Sequence, residues 1–93
     1  MKAYILLSDR SKWCQGAEAL NARGARVSAN NPAAVRWCML GAVVYCYGPG
    51  TTYEYHVARI RKAINRAGSL GAWNDARGRT YEQVVDLLKR LDI

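Results

Sequence analysis

Acid is scarce in this chain. Seven Asp and Glu stand against fourteen Lys and Arg, which leaves a formal net charge of +7 at pH 7 and an isoelectric point near 9.7. That imbalance turns the protein away from cationic partners and toward nucleic acid or an acidic protein surface. A basic surface also keeps a protein soluble with no partner at all, and charge alone does not separate the two readings. Cysteine is thin as well: three residues, an odd number. The opening MKAYILLSDR has too short an apolar run for a secretory h-region. A disulfide framework is therefore not expected, and a reducing cytoplasm is the expected compartment. No apolar stretch reaches the roughly 20 residues of a bilayer span, so no membrane partner is expected. Low-complexity segments and internal repeats are missing too. The 93 residues, 51% of them apolar, make a single domain over 1–93 with one modest core.

The chain has one strongly apolar stretch, Asn31 to Gly48, in which Arg36 is the only charge. Asn31 is a good N-cap, Pro32 suits the first helical position, and Gly48-Pro49 is a stop signal. The stretch predicts a central helix, apolar all round and so buried all round. On it, Val35, Cys38, Ala42 and Tyr45 share one face, and Trp37, Leu40, Val44 and Tyr47 another. Gly41 costs about 1 kcal/mol relative to Ala in mid-helix. Close approach of another backbone would compensate.

The remaining elements follow from local signals. Over Lys2–Arg10 periodicity does not separate a strand from a short helix; Ala3, Leu6, Leu7 and Arg10 fit a helix with one buried face, which is the reading taken. Ala17–Leu20 and Ala25–Ala29 form a hairpin around Asn21-Ala22-Arg23-Gly24, where Asn opens the turn and Gly24 supplies positive φ. Thr51 with Glu54 reads as a capping box. The helix that follows buries Tyr53, Val57, Ile60, Ile64 and Ala67, shows Arg59, Lys62 and Arg66 on another face with Arg61 beside them, and ends at Gly68. Ser69–Arg79 reads as a loop. Thr80 with Gln83 is a second capping box, opening a last helix over Tyr81–Leu91 whose buried side is Val84, Val85, Leu87, Leu88 and Leu91. The expected fold class is mainly α with a small β-hairpin (α+β): about four helices around a central apolar one.

Each chemical constellation has a plain structural alternative. Cys14, Cys38, Cys46 and His56 lack the close C-x2-C pairing of structural zinc sites. Cys38 and Cys46, eight apart on one helix, would sit about 12 Å apart along its axis. Cys14, His56 and Asn74 follow the chain order of a papain-like protease, but a triad is defined by mutual geometry, not order. Buried free cysteine commonly serves as a small apolar residue. No catalytic residue, metal or cofactor is expected. Arg36, buried, needs a partner; Asp75 and Asp9 are the candidates, and an ion pair with Asp75 is expected. Trp37 and Gly41 complete the structural set. Trp73-Asn74-Asp75 reads either as a recognition loop with an aromatic anchor or as a pinned turn, with Trp73 in the core and the polar side chains on backbone N–H groups. Partner binding is assigned to Arg59, Arg61, Lys62 and Arg66, with Tyr53, Tyr55 and Trp73.

Several landmarks, taken together, resemble a family of small uncharacterised domains found in actinobacteria and phages. They are Trp13-Cys14-Gln15-Gly16, Ala34-Val35-Arg36-Trp37-Cys38 with Gly41-Ala42, Trp73-Asn74-Asp75, and Gly78-Arg79-Thr80 followed by Val84 and Leu87. The match covers nearly the whole chain. The short first helix and the basic third helix depart from the pattern. The resemblance implies one domain and a phage origin with a host-directed role. The expected function is a small non-enzymatic protein that inhibits a host defence complex, anti-CRISPR-like, by stoichiometric steric block in the host cytoplasm. Alternatives are a basic nucleic-acid-binding accessory protein and a small cysteine-dependent enzyme.

Overall fold

The computed structural model describes residues 1–64 and 69–93. In order they form α1 (Ala3–Leu6), β1 (Ala19–Asn21), β2 (Arg26–Val27), β3 (Ala34–Trp37), α2 (Met39–Tyr47), α3 (Thr51–Ile64), α4 (Leu70–Asp75) and α5 (Tyr81–Arg90), with a 3-10 turn at Arg10–Lys12. The fold is helical in the main with one small antiparallel sheet, in the order β2-β1-β3. The hairpin follows its turn chemistry. Gly24 has φ +80°, and the Asn21 side chain accepts from the N–H groups of Arg23 and Ala25.

The central apolar stretch is not one helix. Its first third is β3, which pairs antiparallel with β1 through Ala19–Trp37 and Leu20–Arg36. Asn31 caps only a turn, accepting from Ala33 N–H on its side chain and from Ala34 N–H on its carbonyl. The helix begins at Met39, with Cys38 as its cap: Sγ accepts from Gly41 N–H at 3.2 Å. The reason is that an unbroken apolar run carries no period to separate strand from helix. The unpaired edge of β1 decides it. A register shift in β1 at Leu20/Asn21 accompanies the two successive outward residues of β3, Val35 and Arg36.

What remains of the helix, α2, does sit at the centre. α1, α3, α4 and β3 all pack on it. Met39, Ala42 and Val43 are fully buried, against Ile60, Leu70, Val84 and Leu88 from the surrounding helices. Gly41 lies where a Cβ would stand 2.1 Å from the Glu18 carbonyl oxygen. That same oxygen accepts from Cys38 N–H, so the hairpin backbone is pressed onto the first turn of α2. Tyr45 points outward, 44% exposed, with its ring 5.1 Å from Trp37.

α3 buries Val57 and Ile60 and half-buries Tyr53 and Ile64, as its stripe requires. Its cap falls at Gly50, one residue before the expected Thr51: the Glu54 N–H bonds the Gly50 carbonyl. The expected positions of Arg66, Ala67 and Gly68 lie outside the described residues. In α5 both halves of the Thr80–Gln83 capping box form. Its far end closes in a Schellman motif. Asp92 takes φ +56°, the N–H groups of Asp92 and Ile93 bond the carbonyls of Lys89 and Leu88, and Ile93 is buried.

Candidate functional site

The expected loop after Ser69 contains a short helix, α4, capped by Ser69 on Ala72 N–H. Six residues including Gly71 were too few and too weakly helical to show as a period. At its end Asn74 is completely buried and fully engaged. Its Oδ1 accepts from Trp13 Nε1 at 2.8 Å and from Met39 N–H at 3.0 Å. Its Nδ2 donates to the Cys14 carbonyl at 3.1 Å and to Asp75 Oδ1 at 2.9 Å. Asp75 Oδ1 also accepts from Gly16 N–H at 3.0 Å. Trp73-Asn74-Asp75 thus pins two other segments, residues 13–16 and the start of α2, which is the pinned-turn geometry for its two polar members. The expected Arg36–Asp75 ion pair does not form. Arg36 is exposed on β3, because strand geometry turns it outward, and Asp75 spends its carboxylate on the Gly16 N–H and the Asn74 amide.

This anchoring leaves Trp73 half-buried, with the Arg79 guanidinium stacked 3.7 Å over its ring. Arg79 Nε donates to the Trp73 carbonyl at 2.9 Å. The stack forms one wall of a cavity of about 370 Å³. Ala63, Ile64 and Leu87 also line it, with Gln83, Asp86 and Arg90 of α5. A second cavity of about 310 Å³ continues from it, sharing Ala63 and lined by Arg59, Lys62 and Leu91. Together they make a groove between α3 and α5.

The residues assigned to partner binding divide. Lys62 lies exposed on the groove, and Arg61 is exposed on the same helix. Arg66 lies outside the described residues. Tyr55 is 61% exposed, whereas Tyr53 is half-buried against the core. Arg59 is committed: its Nη2 donates to the Leu91 carbonyl at the end of α5, its Nη1 lies 3.4 Å from His56 Nδ1, and it sits over the Tyr55 ring. A guanidinium on a last-turn carbonyl also meets the negative end of the helix dipole. Arg79, Asp86 and Arg90 join the site only through the fold. The signal was present, since Gln83, Asp86 and Arg90 recur at three-four spacing on one face of α5.

The thiols are poorly set for chemistry. Burial pushes the Cys14 thiol up to about 11, with Cys38 and Asp75 adding to the effect. Burial raises Cys38 and Cys46 as well. The thiolate is the nucleophile and the metal ligand. Cys14 N–H bonds Trp37 O just before α2, while His56 packs 4.4 Å from Tyr47 at the far end of that helix. Nine residues at 1.5 Å each, about 13 Å, therefore separate the two ends. Among the described residues no three His, Cys, Asp or Glu side chains gather as a metal site needs, and no helix is long and apolar enough to cross a membrane.

The fold is thus that of a small α+β domain with a basic groove between two of its helices. Over residues 2–91 the chain matches the model of a family of unknown function, DUF6197, and it belongs to that family. No curated protein and no solved structure matches it.

Proposed function

We propose that this protein is a small non-enzymatic binding module that acts by occupying an acidic surface of a larger partner. The observation that carries this reading is the groove between α3 and α5. Among the described residues four cations, Arg59, Lys62, Arg79 and Arg90, line it with one carboxylate, Asp86, beside the apolar Ala63, Ile64, Leu87 and Leu91. Charge of one sign around an apolar centre suits a partner of opposite charge. The net charge of +7 adds long-range steering toward such a partner. The raised thiols and the separation of Cys14 from His56 support the non-enzymatic part. Within this reading the finer proposal is a phage-encoded inhibitor of a host defence complex, anti-CRISPR-like, blocking it stoichiometrically in the host cytoplasm. A small basic domain with one binding face is sufficient for that mechanism.

Lys62→Glu combined with Arg90→Gln tests it. Both residues are exposed, so stability should change by no more than about 1 kcal/mol, including the lost dipole contact of Arg90. Affinity capture from a bacterial lysate, with and without nuclease, should yield a protein that survives nuclease, elutes as salt rises, and is lost with the double variant. Capture that disappears with nuclease would favour the accessory nucleic-acid role instead. Capture unaffected by the double variant would remove the groove from the function.

A further inference from the structure

We infer that the occupant of the groove is an amphipathic acidic helix of a protein partner, an inference that rests on the binding-module reading. Ala63 lines both cavities, so they form one trough rather than two pits. α5, ten residues long, spans about 15 Å, which matches roughly three turns of a helix laid alongside it. The trough runs between two helices, whose own N–H and C=O groups are bonded internally along most of their length. An extended segment laid in it would find no ladder of donors and acceptors for its backbone. A helix satisfies its backbone by itself and needs only side-chain contacts.

Apolar side chains of the occupant meet Ala63, Ile64 and Leu87, and carboxylates on its flanks meet Lys62 on one rim and Arg90 on the other. Asp86 calls for one cation in the occupant and repels phosphate. Nucleic acid is further disfavoured because the Trp73 face that a base would stack on is covered by Arg79 at 3.7 Å, held there by its bond to the Trp73 carbonyl.

The probes are synthetic and labelled for fluorescence anisotropy at near-physiological salt. One is a helical peptide of about three turns with leucines at i, i+3, i+4 and i+7 flanked by glutamates, with one lysine placed to meet Asp86. The second replaces those leucines with serine at the same charge, and the third is a single-stranded oligonucleotide of equal charge. Ala63→Trp fills the trough without altering charge, and Ala63 is exposed, so the variant should melt like wild type. The leucine peptide should bind at least about tenfold more tightly than the other two probes, and Ala63→Trp should weaken it about tenfold or more. The inference is overturned if the leucine peptide does not bind, if the serine peptide or the oligonucleotide matches it, or if Ala63→Trp has no effect. The binding-module reading fails separately, when Lys62→Glu with Arg90→Gln leaves the captured partner bound.

Discussion

Replacing Asn74 should be the most costly single polar substitution in this protein. Asn74→Ala removes the partner of the Trp13 indole N–H, of the Met39 N–H and of the Cys14 carbonyl. The Met39 and Cys14 bonds are buried. Leaving a buried donor or acceptor unsatisfied costs about 1–3 kcal/mol each, and the partly buried Trp13 group belongs at the low end. The sum is about 3–7 kcal/mol. A domain of this length holds roughly 5–14 kcal/mol in all, so the variant should be largely unfolded or melt tens of degrees lower. Asn74→Asp separates hydrogen bonding from shape. It keeps the acceptor for Trp13 and Met39 but turns a carboxylate toward the Cys14 carbonyl and Asp75. That raises the introduced group's folded pKa above its unfolded value near 3.9. Its deficit should therefore be largest at neutral pH and shrink as pH falls toward the unfolded value, whereas the Asn74→Ala deficit should not follow that pattern. Urea unfolding followed by tryptophan fluorescence at two pH values measures both. A loss below about 1 kcal/mol in Asn74→Ala would refute the claim that this side chain holds the segments together.

Two further outcomes are expected. Gly41→Ala gains about 1 kcal/mol of helix propensity but places a Cβ 2.1 Å from a backbone oxygen of the hairpin. The net effect should be a loss of about 1–3 kcal/mol, and a melting temperature equal to wild type would show that the hairpin yields freely. His56 is held below its ordinary 6.5 by burial, then by Arg59 and Lys2. With the folded value depressed, the unfolded chain takes up the proton first as pH falls. This contribution to stability is full above the unfolded pKa and is lost as pH drops from there to the folded value. His56→Gln should flatten thermal stability between neutral pH and about pH 5 relative to wild type; parallel curves for the two proteins would count against this assignment.

Some of this architecture was determined within short windows of sequence. Thr80 and Gln83 cap α5 through atoms three residues apart. Asn21 and Gly24 close the hairpin turn within five residues. The stripe Val57–Ile60–Ile64 sets which face of α3 is buried, and Gly41 in an apolar helix announced that another backbone comes close. Net charge was legible in the composition alone. The rest depended on groups that meet only after folding. Ala34–Trp37 became a strand because β1 had an open edge to pair with, and that choice turned Arg36 out to solvent and left Asp75 to the Gly16 N–H. Asn74 draws its partners from residues 13, 14 and 39, too far along the chain for any local pattern to reveal. Arg59 looked like a member of a solvated basic face until the Leu91 carbonyl came within reach of it. The groove has the same origin: Lys62 and Arg90 belong to helices that are neighbours in space only, so the sequence determined the charges and the packing of α3 beside α5 decided which of them face one another.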